Sequence, residues 1–242
     1  MIVTIDGTSA SGKSTTAKEV ARKLGFVYID TGAMYRAVAL YCIENRIDIH
    51  NRKAVADVSH KIDIRFEFGN DKNRLRRAVR RAHCRAAQPN RIFLNNREVT
   101  NLIRTEAAGS VASTIATYKD VRSNLVEKQR KMGRKENVIC EGRDIGTVVF
   151  KDADIKIYMD ADLIERARRR QEELGGTADS QSVFGELSRT VIKSLKKRDE
   201  QDKTRAESPL KIPEDAVIID TTHLSIEDEV KKVIEMIRQY ER

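Results

Sequence analysis

The sequence predicts an α/β protein, a parallel sheet with helices on both faces, and three observations carry that prediction. Short apolar runs rich in β-branched residues alternate with amphipathic helical stretches along most of the 242 residues. The first of those runs leads straight into a glycine-rich string and then a helix. Only the piece at about 61–100 breaks the alternation, and it reads as a small antiparallel β insertion.

"IVTID" (2–6) is a buried strand, and the helix that follows it closes at Gly25. "FVYI" (26–29) is a second strand, followed by a helix over 32–45 with Met34, Val38 and Tyr41 near one stripe. "KIDIRFEF" (61–68) alternates with period 2, as a half-buried strand does, and "RIFLNNREV" (91–99) places an Asn-Asn turn between two β pieces. Residues 104–132 read as two helices broken near 118–120, and "NVIC" (137–140) and "IKIYM" (155–159) as compact strands. A charged helix at 162–174, a "GGTAD" break and a long polar helix at about 181–203 come next. "AVIID" (216–220) reads as another buried strand, and an amphipathic helix capped by Ser225 ends the chain.

Composition narrows the function. No apolar run reaches the ~20 residues that span a bilayer, and "MIVTIDG" lacks the charged and apolar regions expected of a signal peptide. Three cysteines and four histidines at irregular spacing suggest neither a disulfide framework nor a zinc site. The net charge of +9 is concentrated: residues 71–91 hold eight basic residues and one acid, +7, which leaves +2 elsewhere. Basicity therefore belongs to one segment and is no sign of a general preference for nucleic acid.

Gly7 to Ser14 matches G-x-x-x-x-G-K-[ST] between a strand and a helix. Gly7 and Gly12 let successive N–H groups of Thr8, Ser9, Ala10 and Ser11 curl around phosphate oxygens, and the helix N-terminus behind them favours an anion. Lys13 neutralises charge on the β- and γ-phosphates, the Ser14 hydroxyl is placed for Mg²⁺, and Thr15 completes the turn. A nucleoside triphosphate is the predicted ligand, and the absence of a guanine-reading "NKxD" string argues against a GTPase. Arg36, in "DTGAMYR", and Arg143, in "EGRDIGT", follow strands at the edge where open α/β sheets bind ligands. In "RDEQDKTR", Arg198, Asp202 and Arg205 fall at i, i+4 and i+7 and share one helical face.

Together "TIDGTSASGKST", "IDTGAMYRAVAL", "IRTEAAGSVAS", "EGRDIGTVVFKDADIKIYMDA" and "KRDEQDKTRAESPL" resemble the bacterial-type cytidylate kinases, P-loop nucleoside monophosphate kinases, over nearly the whole chain except about 69–92. The resemblance implies transfer of the ATP γ-phosphoryl, with Mg²⁺, to CMP or dCMP. It implies that Arg36, Arg143 and Arg205 grip the acceptor phosphate, with Thr31 and Tyr35 lining that pocket. Ser113, Arg122 and Asp144 would read the base, and Arg198 and Asp202 would hold the ribose. It also implies one kinase domain over 1–242, with an acceptor-side β-rich subdomain at 61–100 bearing a basic arm at 72–91, and lid and closing helices at 162–205. A cytoplasmic monomer is expected.

The base assignment has its own chemistry, because a carboxylate such as Asp144 can accept from the cytosine amino group while Arg122 and Ser113 donate to its acceptors. The helix carrying "ERARRR" reads as a lid whose Arg166 and Arg170, at i and i+4, reach the transferring phosphoryl group. Glu141 stands where the family more often has Asp. The basic arm departs most from the family: helical, it would set Arg74, Arg77, Arg81 and Arg85 on one side, for RNA, an anionic membrane or an acidic partner, or as a solvated arm. Two other readings stay open, a P-loop kinase for UMP, AMP or a shikimate-like acceptor and, in another class, a nucleotide-dependent RNA-binding protein.

Overall fold

The computed structural model describes residues 1–67, 91–134, 136–173 and 186–241. The arginine stripe of the basic arm, the "GGTAD" break and the start of the long polar helix lie outside the described residues. The chain forms two compact units, one of residues 1–20 with 139–242, the other of residues 21–138.

The main sheet has five strands in the order β2-β6-β1-β7-β8: β1 (Ile2–Gly7), β2 (Val27–Asp30), β6 (Val138–Gly142), β7 (Ile155–Asp160) and β8 (Val217–Asp220). In the first unit β1 pairs in parallel with β7, Ile5 against Ile157, and β7 with β8, Ile157 against Val217. Val3, Ile5, Ile157 and Met159 are fully buried there, and each such side chain contributes roughly 1.5–3 kcal/mol of burial. The helices of this unit are α1 (Lys13–Leu24, which continues into the second unit), α6 (Leu163–Glu173), α7 (Glu186–Thr204) and α8 (Ile226–Tyr240). Ser225 caps α8 by accepting from the Asp228 N–H at 3.2 Å, and Val230, Val233 and Ile237 form its buried stripe.

The second unit is mainly helical. It contains α2 (Thr31–Glu44), α3 (Arg52–Lys61), α4 (Glu106–Ile115) and α5 (Lys119–Gly133), with an antiparallel sheet of β3 (Ile64–Glu67), β4 (Arg91–Leu94) and β5 (Arg97–Glu98). Its core joins Met34 and Val38 of α2 to Val55, Ile64, Leu94, Ile115 and Leu125. Asn95 and Asn96 turn the β4–β5 hairpin at φ 48° and 66°, the positive values a tight hairpin turn requires.

Three features differ from the sequence expectation. Helix α3 occupies a stretch given no element above; Asn51 caps it, and Val55, Val58 and Ser59 are its buried residues. Residues 145–149 form a single π-helical turn after β6. Strand β8 is not buried throughout, since Val217 and Ile218 are 45% and 59% exposed and Ile219 is covered. β8 ends the strand order, so it has one neighbouring strand, and an apolar run alone does not distinguish an edge from a centre. No described helix is long and apolar enough to cross a membrane.

Candidate functional site

In the first unit β1 ends at Gly7 with φ 151°, where an added Cβ would lie 1.9 Å from the Met159 carbonyl oxygen. Only glycine fits there. The loop then passes through Ala10 at φ 60° and Gly12 at φ 89° before α1 begins at Lys13. Lys13 is buried and its Nζ donates to the Thr8 carbonyl at 2.6 Å, folded against its own loop. Burial pushes its pKa down to about 7; the nearby Arg143 acts the same way, and Glu141 and Asp202 oppose. The Thr8 hydroxyl donates to Asp160 Oδ1 at 2.6 Å, and the Ser14 hydroxyl to Glu141 Oε1, also at 2.6 Å.

From the loop a continuous set of charged contacts runs to the C-terminal end of α7. Arg143 donates to the Ser9 hydroxyl and to Asp202, each at 2.8 Å. Asp202 faces Arg205 at 3.6 Å, and Arg205 faces Asp144 at 3.3 Å, with Arg205 and Asp144 both nearly buried. Arg198 and Asp202 lie on α7 as the spacing predicts, and Arg205 follows its last residue. The two aspartates and two arginines come from segments about sixty positions apart, and the fold brings them together.

Asp6, fully buried at the end of β1, fixes the Asp144 segment. It accepts from the Ile145 N–H at 2.8 Å and the Gly146 N–H at 2.7 Å. Burial raises its pKa to about 6, against the pull of those two donors. On α6, Arg166 is also buried. Its guanidinium donates to Asp199 at 2.6 Å, the Ala161 carbonyl at 3.0 Å and the Ser9 carbonyl at 3.2 Å. Arg170 pairs with Glu173 at 2.8 Å on a more exposed side of α6. Ser9 is therefore held by two arginines, through its hydroxyl and through its carbonyl.

The second unit holds the other predicted residues. Asp30 caps α2 by accepting from the Ala33 N–H at 2.9 Å, and it pairs with Arg36 at 2.8 Å. Thr31 is buried in the first turn of the same helix, and Tyr35 is one turn further on. The Arg122 guanidinium lies over the Tyr35 ring, 5.7 Å from its centroid, and donates to the Ala116 carbonyl at 3.1 Å. Ser113 sits half-buried on α4.

Glu141, Asp6 and Asp199 were not singled out as site residues by sequence. The only signal for Glu141 was its departure from the Asp more usual in the resembled family. Asp6 bonds to backbone N–H groups, which leave no mark in a sequence, and Asp199 lay within a charged run that reads equally well as solvated surface.

A model of the cytidylate kinase family matches residues 3–239. Among curated relatives, a cytidylate kinase of Cytophaga hutchinsonii is 44% identical over 230 residues, 95% of this chain and 90% of the relative. One of Acholeplasma laidlawii is 40% identical over 237 residues, 98% and 94% of the two chains. A third, of Carboxydothermus hydrogenoformans, is 40% identical over 237 residues, 98% and 97%.

Proposed function

The chain belongs to the cytidylate kinase family, and on that premise we propose that it transfers the γ-phosphoryl group of ATP to CMP and dCMP, releasing ADP with CDP or dCDP. The observation that carries this reading is the unbroken set of contacts from the phosphate loop at Ser9, through Arg143, Asp202 and Arg205, to Asp144. An acceptor phosphate and a pyrimidine can each find a partner along it.

An oxygen of the CMP phosphate attacks the γ-phosphorus of ATP, and the bond to the β,γ-bridging oxygen breaks, its electron pair leaving with ADP. The attacking oxygen is already ionised, so the protein needs no dedicated general base. Its task is to bring two anions into line and neutralise them away from water. Lys13 serves the β- and γ-phosphates by leaving the Thr8 carbonyl, and a bound polyphosphate raises its pKa and holds it protonated. The loop residues Gly7 to Thr15 cradle the donor. Arg143, Arg205 and Arg36 hold the acceptor phosphate beside Thr31 and Tyr35, and Arg198 and Asp202 hold the ribose. Asp144 accepts from the cytosine amino group, while Ser113 and Arg122 donate to its ring acceptors. Arg166 and Arg170 are assigned to the transferring phosphoryl group, which requires Arg166 to exchange Asp199 for a phosphate oxygen.

The donor set also suits Mg²⁺. Ser14 and Glu141 offer hard oxygen atoms in hydrogen-bond contact, and this ion takes few protein ligands beside water and phosphate. Ser14 would hold it with Glu141 behind, and when bound it supplies charge neutralisation across the β- and γ-phosphates. Its substrates place such an enzyme in the cytoplasm, in pyrimidine nucleotide metabolism.

A coupled assay of ADP release across CMP, dCMP, UMP, AMP and shikimate tests the reading. CMP and dCMP are expected to exceed UMP in kcat/KM by at least ~10²-fold, because a site built to pair a substrate group strongly rejects an analogue lacking it. Turnover confined to one of the other acceptors would overturn it.

A further inference from the structure

Glu229 of α8 is fully buried and takes no part in the transfer proposed above. Its Oε2 accepts from the Thr16 hydroxyl in the second turn of α1. Its Oε1 has no hydrogen-bond partner among the described residues and lies 3.7 Å from a terminal nitrogen of Arg169 on α6. Arg169 is fixed in turn by Glu165 at 2.8 Å and by the Thr221 carbonyl at 2.6 Å, and the Thr221 hydroxyl donates to the Ser11 carbonyl at 2.9 Å.

The pair lies against the back of the phosphate loop. A Cβ added to Gly12 would stand 2.8 Å from Glu229 Oε2 and 3.2 Å from Arg169. Apart from Gly12's own chain neighbours, the two Glu229 oxygens and that Arg169 nitrogen are the nearest atoms to this position. Burial raises the Glu229 pKa, while the Thr16 hydroxyl and the neighbouring Arg169 guanidinium oppose that by favouring the carboxylate.

A buried carboxylate behind an anion-binding loop opposes the anion, and a guanidinium in the same place favours it. Glu229 is fully buried, so bulk solvent screens such effects weakly there. We propose that Glu229 and Arg169 are positioning residues that tune the grip on the donor nucleotide in opposite directions, through Gly12 and Thr16. Arg169 strengthens the hold on the phosphates and Glu229 weakens it enough for ADP to leave, a step that limits turnover in many enzymes. The inference rests on the reading of this loop as the donor site.

Calorimetric titration with ADP, alongside KM values for ATP and CMP and the Tm of each variant, tests it. Glu229→Gln keeps the shape and the acceptor for Thr16 and removes the charge; it is expected to bind ADP about threefold to tenfold tighter. Arg169→Gln is expected to bind ADP weaker by a similar factor, with KM for ATP following and KM for CMP within about twofold in both. The double variant restores neutrality and returns ADP affinity to within about twofold of wild type, which decides the matter even if Arg169→Gln alone folds poorly. Single-variant shifts in the same direction, or Tm changes with ADP affinity unmoved, would overturn the proposal. Wild-type protein that binds no ADP would instead remove the donor reading of the loop beneath it.

Discussion

Cytosine and uracil differ at the edge that Asp144 is assigned to read, an amino group in one and a carbonyl oxygen in the other. Asp144→Ala is therefore expected to lower kcat/KM for CMP by one to two orders of magnitude, roughly the value of a buried charge-assisted hydrogen bond, and to affect UMP much less. The measurement is the ratio of the two kcat/KM values, and an unchanged ratio removes Asp144 from base recognition. The ratio is the informative quantity because Arg205, 3.3 Å away, also loses one of its carboxylate partners, and that loss weakens both acceptors alike. Asp144 and Arg205 were legible in the sequence through the motifs that hold them. The supports of Asp144 were not, because Asp6 works through the Ile145 and Gly146 N–H groups and any residue but proline offers one.

Element by element, legibility followed the amount of apolar surface each piece buries. Helix α7 was readable because Arg198, Asp202 and Arg205 recur at i, i+4 and i+7, and Val191 and Leu195, which continue that same face towards the N-terminus, pack on Ala167 of α6. Helix α3 was not, since only Val55, Val58 and Ser59 of "RKAVADVSHK" are buried and the start depends on the Asn51 side chain. Helix α6 gave its basic character but not its contacts: Arg166 is held by Asp199 and the Ser9 carbonyl, a resting arrangement in which α6 already touches the phosphate loop. Two variants separate catalysis from this bracing. Arg166→Lys, which keeps a charge but loses the fork, is expected to lower kcat about a hundredfold with both KM values within a few-fold. Asp199→Asn, which breaks the resting pair and keeps Arg166, is expected to leave kcat within about fivefold. Steady-state kinetics under both saturating substrates check this, and a rise in both KM values with kcat intact for Arg166→Lys would reduce α6 to a structural support.

For the molecule as a whole, the buried charges of the first unit set how stability varies with pH. Asp6 titrates near 6 in the folded chain against 3.8 as its ordinary value, because burial disfavours its charge. Between about pH 4 and 6 the folded state holds the proton that the unfolded state has lost, so stability falls as pH rises through this window. Lys13 is displaced the other way, to about 7 from 10.5. Between about pH 7 and 10.5 the unfolded state holds the extra proton, and stability rises with pH. These two groups therefore place a minimum in stability near pH 6–7, just where the ligand-free protein carries both charges buried. Urea unfolding across pH 4–10 would trace it. Asp6→Asn is expected to flatten the acidic limb alone and Lys13→Met the alkaline limb alone. A polyphosphate bound to the loop supplies Lys13 with the counter-charge it lacks and raises its pKa, so the stabilisation it gives through Lys13 is fullest below about pH 7 and falls as pH rises from 7 to 9. ATP binding there must then take up a proton. Calorimetric binding enthalpies in buffers of different ionisation enthalpy report that uptake directly, and its absence at pH 8 would mean that Lys13 is already charged in the free protein.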